Sequence, residues 1–213
     1  MKKIIIFASG TKDGGGSGFE NLVNATKNGI LNAQIMAVVS NHENGGVRER
    51  ADRLGIKFIH FPAPWIAEKY KEITRDANLV CLSGWLKLVT GLDPKKTINI
   101  HPGPLPRFGG AGMYGHHVHE AVMEACKNPD LANRQRVTHS AVSMHFVTEK
   151  YDEGPLFFSQ SVPILPNDTA ETLAKRVNEA EHKWQPIITQ KVLSDEISWD
   201  GQNLKSLRGQ IFN

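Results

Sequence analysis

The chain has 213 residues, 40% of them hydrophobic, and carries 25 Lys and Arg against 22 Asp and Glu, a formal charge of +3. That length suits one domain with a sizeable core, and cations spread along the chain rather than gathered in a run favour small anionic ligands over nucleic acid. Two widely separated cysteines, Cys81 and Cys126, offer neither a CxxC metal pair nor a disulfide framework, which fits a reducing, cytoplasmic setting.

MKKIIIFASG carries an apolar run of only Ile4 to Ala8 before a glycine-rich loop, so it reads as a first core strand rather than a leader. No segment approaches the roughly 20 apolar residues of a membrane helix. Lys2 to Ser9 is thus a strand, TKDGGGSG a loop, and the following segment a helix with Phe19, Leu22 and Val23 on one face. AQIMAVVS, Val47 to Leu54 and IKFIHF repeat the strand and helix alternation, which predicts βαβ crossovers.

A helix over Trp65 to Arg75 leads into ANLVCLSGWL, whose apolar run Leu79 to Leu82 suits a parallel strand buried on both faces. TINIHPGPLP is a strand stopped by two prolines. Asn99 and His101 therefore sit at a strand's carboxyl end, where open α/β sheets bind ligands. A helix near Val118 to Cys126, the polar stretch KNPDLANRQRVTH, and two strands, SAVSMHFV and GPLFFSQSVPI, follow, the strands paired antiparallel. A long helix runs from about Thr169 to Leu193, with Asp168 as N-cap and Glu171 completing a capping box. ISWDGQNLKSLRGQIFN is a small edge hairpin or a loose tail. The fold expected is α/β in three layers, with a mainly parallel, Rossmann-like first half and antiparallel strands in the second.

Three groups could carry chemistry. Gly14-Gly15-Gly16-Ser17-Gly18 opens a helix, so its backbone N–H groups and the helix N-terminus suit a phosphate; it lacks both the dinucleotide spacing and the P-loop lysine. Asn99 and His101, two apart on a strand, face the same side. They can supply an amide hydrogen to an oxyanion and a proton-transfer group together, or be no more than a satisfied histidine at a strand end. Asp152 in YDEGP would raise a nearby imidazole's pKa, although the segment alone is an ordinary turn. His116, His117, His119 and Glu120 share helix faces at i,i+3 and i,i+4; without HExxH they read as a solvated or core-edge cluster rather than a metal site.

NIHPGPLP at 99–106 and HFVTEKYDEGP at 145–155, in that order, resemble the paired motifs of the folate-dependent formyltransferases, and the resemblance extends over nearly the whole chain. It implies transfer of a formyl group from 10-formyltetrahydrofolate to a phosphorylated amine, glycinamide ribonucleotide, in purine synthesis, by one domain (1–213) and with no metal, nucleic acid or membrane. A substrate-phosphate half (1–100), a folate and catalytic half (101–195) and a tail (196–213) would divide the chain, and a homodimer is left open. Asn99, His101 and Asp152 become the catalytic trio. Gly16, Ser17 and Gly18 would hold the phosphate, and Glu181 would lie near the glycine end. Leu86, Lys87, Leu88, Val89, Asn99, Thr148, Glu149 and Lys150 would enclose the folate, with Lys69 or Lys71 at its tail. Relative to the family pattern the chain has a longer TKDGG loop, Gly18 in place of an Asn, and extra sequence around GAGMYG and KNPDLANRQRVTH. Rival readings are a sugar-amine formyltransferase, an enzyme acting on initiator methionyl-tRNA, a formyltetrahydrofolate hydrolase, and a non-catalytic phospholigand-binding module.

Overall fold

The computed structural model, which describes residues 1–12, 14–128 and 136–213, is built on one sheet of eight strands in the order β3-β2-β1-β4-β5-β6-β7-β8. β1 (Lys2–Phe7), β2 (Ala33–Ser40), β3 (Phe58–His60), β4 (Leu79–Leu82) and β5 (Thr97–His101) run parallel. β6 (His139–Phe146) turns antiparallel to β5, and β7 (Leu156–Pro163) antiparallel to β6. This is the α/β arrangement expected from the alternation of apolar runs and amphipathic segments. The middle of the KNPDLANRQRVTH stretch, 129–135, lies outside the described residues.

The two-residue period of β1 divides the core into two layers. Ile4 and Ile6 face α1 (Ser17–Lys27), α2 (Gly46–Leu54), α4 (His116–Lys127) and α5 (Ala170–Leu193), while Ile5 and Phe7 face α3 (Ala67–Thr74). On the second face Phe7, Phe61, Tyr70 and Trp85 form an aromatic cluster. Trp85 donates its indole N–H to the Tyr70 hydroxyl at 3.0 Å, and Tyr70 donates on to the Leu88 carbonyl at 3.1 Å. Burial pushes the Tyr70 phenol up to about 12. Ser9 Oγ accepts from the Leu86 N–H at 3.0 Å, so the 84–88 segment is tied down at both ends above the strands.

The start of α5 differs from the sequence expectation. Thr169 is the N-cap and forms the capping box with Thr172, whereas Asp168 accepts two hydrogen bonds from the Arg176 guanidinium at 2.7 and 2.8 Å. Both residues are good caps; the fork of Arg176 claims the carboxylate and leaves the hydroxyl for the helix. Further along, Pro186 lies inside α5 and cannot donate to the carbonyl four residues earlier. That carbonyl, of His182, accepts instead from Asn21 Nδ2 of α1 at 2.7 Å. The turn of α5 from Glu181 to Gln185 is thereby fastened to α1.

The tail is not loose: it closes on itself antiparallel and ends as the edge strand of the sheet. A bridge joins Ser198 and Arg208, buried Trp199 packs on Phe146 with ring centroids 5.8 Å apart, and β8 (Ile211–Phe212) adds parallel to β7. Among the described residues no helix is long and apolar enough to cross a membrane.

Candidate active site

The carboxyl ends of β1, β4 and β5 open into a cleft of about 640 Å³. One end is the glycine loop. Gly15 and Gly16 have φ of +86° and +79°, conformations glycine adopts without the strain a Cβ brings. Gly16 caps α1 with no side-chain hydrogen bond, so the first N–H groups of the helix face the cleft unpaired by a cap. Arg50 Nε donates to the Gly15 carbonyl at 2.9 Å and pairs with Glu20, which Arg53 also meets at 2.7 Å. The Thr11 N–H bonds the Gly14 carbonyl at 2.9 Å.

The other end holds Asn99, His101 and Asp152, and all three line the same cleft. Asn99 lies opposite His145 in the β5–β6 register and places its Nδ2 3.1 Å from His145 Nε2 and 3.3 Å from Asp152 Oδ1. Its Oδ1 has no partner among the described residues. His101 Nε2 donates to the Phe108 carbonyl at 2.7 Å, which leaves Nδ1 facing Asp152 Oδ2 at 3.7 Å. Asp152 has a left-handed φ of +54°, rare outside glycine. It is held there by the Gly110 N–H at 3.0 Å and by His145 Nε2 at 3.4 Å.

Three glycines lie against the trio and its supports where a side chain would collide. A Cβ on Gly103 would lie 3.2 Å from His101 Nε2, one on Gly109 3.0 Å from the Asp152 Cβ, and one on Gly154 1.7 Å from the Phe146 carbonyl oxygen. That carbonyl accepts from His145 Nδ1 at 2.8 Å, which orients the ring with Nε2 toward both Asn99 and Asp152. The orienting part played by His145 was not assigned from sequence. The signal was its place opposite Asn99 once β5 and β6 are paired.

Burial and charge oppose each other at His101. Burial pushes the His101 imidazole down, and the Asp152 carboxylate and Phe108 carbonyl only partly restore it, so its pKa falls below the ordinary value. Asp152 raises the His101 imidazole as expected, but burial outweighs it. Burial would raise Asp152 itself, but His145, the positive charge that His101 can carry and the Gly110 N–H together keep it below the usual carboxylate range.

The remaining sequence candidates separate into groups. Leu86 lines the main cleft, whereas Val89, Thr148 and Glu149 line a second cavity of about 260 Å³, where Glu149 accepts from the Gly91 N–H at 2.9 Å. Lys87 lies over the Trp65 ring at 4.6 Å, Leu88 is exposed, and Lys150 pairs with Glu153 at 3.2 Å; none of the three lines either cavity. Lys71 approaches Gly91 at the rim of the second. Glu181 joins the main cleft from α5, with Asn178, His182 and Gln185 of the same helix face, and burial raises its carboxyl to about 7 despite a bond from the Asn178 amide. GAGMYG lines the cleft mouth.

The histidine cluster does not converge. His116 meets Glu120 and Glu171, each at 3.5 Å, and His117 meets Glu120 at 3.2 Å. His119 turns inward, buried, with Nδ1 unpartnered. Burial, reinforced by the charges of His116 and His101, pushes His119 down to about 4. The unfolded chain therefore binds this proton more readily than the native one, and stability present above pH 6.5 is lost as pH falls toward 4. Replacing His119 with Leu is expected to flatten the stability change between pH 7 and 4.5 by about 2 kcal/mol in urea titrations; an unchanged slope would refute a neutral native His119.

Residues 2–189 match the family model described as Formyl transferase. The chain is 33% identical over 211 residues to a chloroplastic phosphoribosylglycinamide formyltransferase of Arabidopsis thaliana, an alignment covering 93% of this chain and 68% of that protein. It is 29% identical over 205 residues to the Bacillus subtilis phosphoribosylglycinamide formyltransferase, covering 91% and 95%. The crystal structure of phosphoribosylglycinamide formyltransferase from Streptococcus pneumoniae superposes with a TM-score of 0.72 at 30% identity, over 91% of this chain and 99% of that one. With the sheet, the strand-end trio and a family match spanning most of its length, this chain belongs to the formyl transferase family.

Proposed function

We propose that the chain transfers a formyl group from 10-formyltetrahydrofolate to the amine of glycinamide ribonucleotide, with Asn99, His101 and Asp152 as the catalytic trio. The observation that carries this reading is one continuous cleft with an uncapped, glycine-rich helix N-terminus at one end and the trio at the other. A substrate bearing a phosphate at one end and an amine at the other spans it. Residues 1–100 supply the phosphate loop, Asn99 and the 86–89 side of the folate site, and 101–195 supply His101, Asp152 and the 148–150 side, within one unit that also includes the tail.

His101 enters the reaction neutral, with the Nδ1 lone pair beside Asp152 at the cleft wall. The substrate nitrogen attacks the formyl carbon and forms the new C–N bond while Nδ1 takes a proton from that nitrogen. The imidazolium so formed lies 3.7 Å from Asp152 Oδ2, which stabilises it. Asn99 Nδ2, whose contact to Asp152 is the longer of its two, turns a hydrogen to the formyl oxygen as negative charge develops there. Collapse of the tetrahedral intermediate breaks the bond to the folate nitrogen, which receives the proton from His101.

The test follows a 10-formyl folate analogue by absorbance, with and without glycinamide ribonucleotide. Deformylation is expected only when the amine is present, with the formyl group recovered on it. Release of deformylated folate at the same rate without amine would overturn the transferase reading in favour of a hydrolase.

A further inference from the structure

Gly18, Ser83 and Gln185 meet at the floor of the cleft, although Ser83 and Gln185 are 102 residues apart. Ser83 follows Leu82, which pairs with Asn99 across β4 and β5. Gln185 lies one helical turn beyond Glu181 on the cleft face of α5, in the turn that Asn21 fastens to α1. Both side chains are buried, Gln185 at 2% exposure and Ser83 at 8%, and Gln185 Nε2 donates to Ser83 Oγ at 3.0 Å. A Cβ on Gly18 would lie 2.2 Å from Ser83 Oγ and 3.1 Å from Gln185 Oε1. The glycine in the phosphate loop is therefore what leaves room for the pair, and the pair lies between that loop and Asn99.

Their hydrogen-bonding capacity is not used up. In this arrangement the Ser83 hydroxyl hydrogen and Gln185 Oε1 have no partner among the described residues. Turning the amide over exchanges the roles, with Ser83 donating to Oε1 and Nε2 set free. Either way one donor and one acceptor remain side by side. A secondary amide presents the complementary pair, an N–H and a C=O.

We infer that Ser83 and Gln185 are specificity-determining residues that read the secondary amide linking the phosphorylated half of the substrate to its amine. The inference rests on the function proposed above, since glycinamide ribonucleotide carries such an amide between ribose and glycine. With its phosphate at the glycine loop and its amine at Asn99 and His101, that amide lies over the pair. A buried donor and acceptor left unpaired by a substrate lacking the amide N–H would discriminate against it more strongly than a change of shape alone.

The experiment compares glycinamide ribonucleotide with an analogue that has a methylene in place of the amide N–H, using the full chain, Ser83→Ala and Gln185→Leu. The wild type is expected to prefer the natural amide by about 10- to 100-fold in kcat/KM. Gln185→Leu should raise KM for glycinamide ribonucleotide by about 10-fold, leave kcat within about threefold, and erase most of that preference. Ser83→Ala, which only removes a hydroxyl, should show the same pattern more weakly and carries the test if Gln185→Leu fails to fold. A preference ratio unchanged in folded variants would overturn the inference while leaving the transferase intact. Absence of transfer to glycinamide ribonucleotide by the wild type would overturn the underlying function, and this inference with it.

Discussion

Asn99→Ala is expected to lower turnover by about a hundred- to a thousandfold, the loss typical of removing one donor from a developing oxyanion, and His101→Ala by about a hundred- to ten-thousandfold, the range typical of losing a general acid–base group. The two should differ in the pH profile of what remains. With His101 gone, no imidazole of depressed pKa stands in the proton path, and the acid limb of kcat/KM that it would produce should disappear. Asn99→Ala removes the amide that bridges His145 and Asp152 but keeps the His101 ring and its bond to the Phe108 carbonyl, so its acid limb should persist. Single-turnover kinetics across pH 5 to 9 separate the two. Near-wild-type turnover in either variant, with an unchanged melting temperature, would remove that residue from the catalytic centre.

Gly154→Ala should act on fold and site together. Its Cβ would sit 1.7 Å from the Phe146 carbonyl oxygen and 3.2 Å from His145 Nδ1. The obstruction is main chain rather than the end of a flexible side chain. The neighbouring backbone is pinned as well, since the Phe146 N–H donates to the Pro155 carbonyl at 3.1 Å. Relief requires moving the turn that carries Asp152, at a cost of about 2–3 kcal/mol in stability. The folded fraction should retain little activity because Asp152 no longer meets His101. Gly14→Ala is the control: its Cβ would meet only Thr11 Oγ1 at an ordinary 3.6 Å, and stability within about 0.5 kcal/mol of wild type is expected. Urea denaturation with activity measured on the same samples decides it, and a stable, active Gly154→Ala protein would show that the turn has slack the geometry denies.

Much of this architecture was legible in local pattern. The run Ile4 to Ala8, the alternation that follows it, and the two prolines after His101 determine strands and their ends, because apolar periodicity and backbone sterics act over a few residues. Asn99 and His101 fell on one side of β5 for the same reason. Asp152 could be attached to them only through the matched HFVTEKYDEGP segment, since nothing within YDEGP distinguishes it from an ordinary turn. Where two neighbouring residues could cap α5, a partner eight residues on, Arg176, decided between them. The segments expected to enclose the folate resembled one site but are divided between two cavities, and the lysine of SGWLKLV is drawn to Trp65 instead.

The sequence by itself thus determined the strand-end position of Asn99 and His101 and the helix start that faces them, both consequences of short-range geometry. Tertiary structure alone decided that burial lowers the His101 imidazole below its ordinary pKa, that His145 lies against Asn99, and that Ser83 meets Gln185 beneath Gly18. Those outcomes depend on how much solvent is excluded around a group and on which distant segments are brought to it. Desolvation and contacts between residues a hundred positions apart exist only once β4, β5 and α5 have packed together.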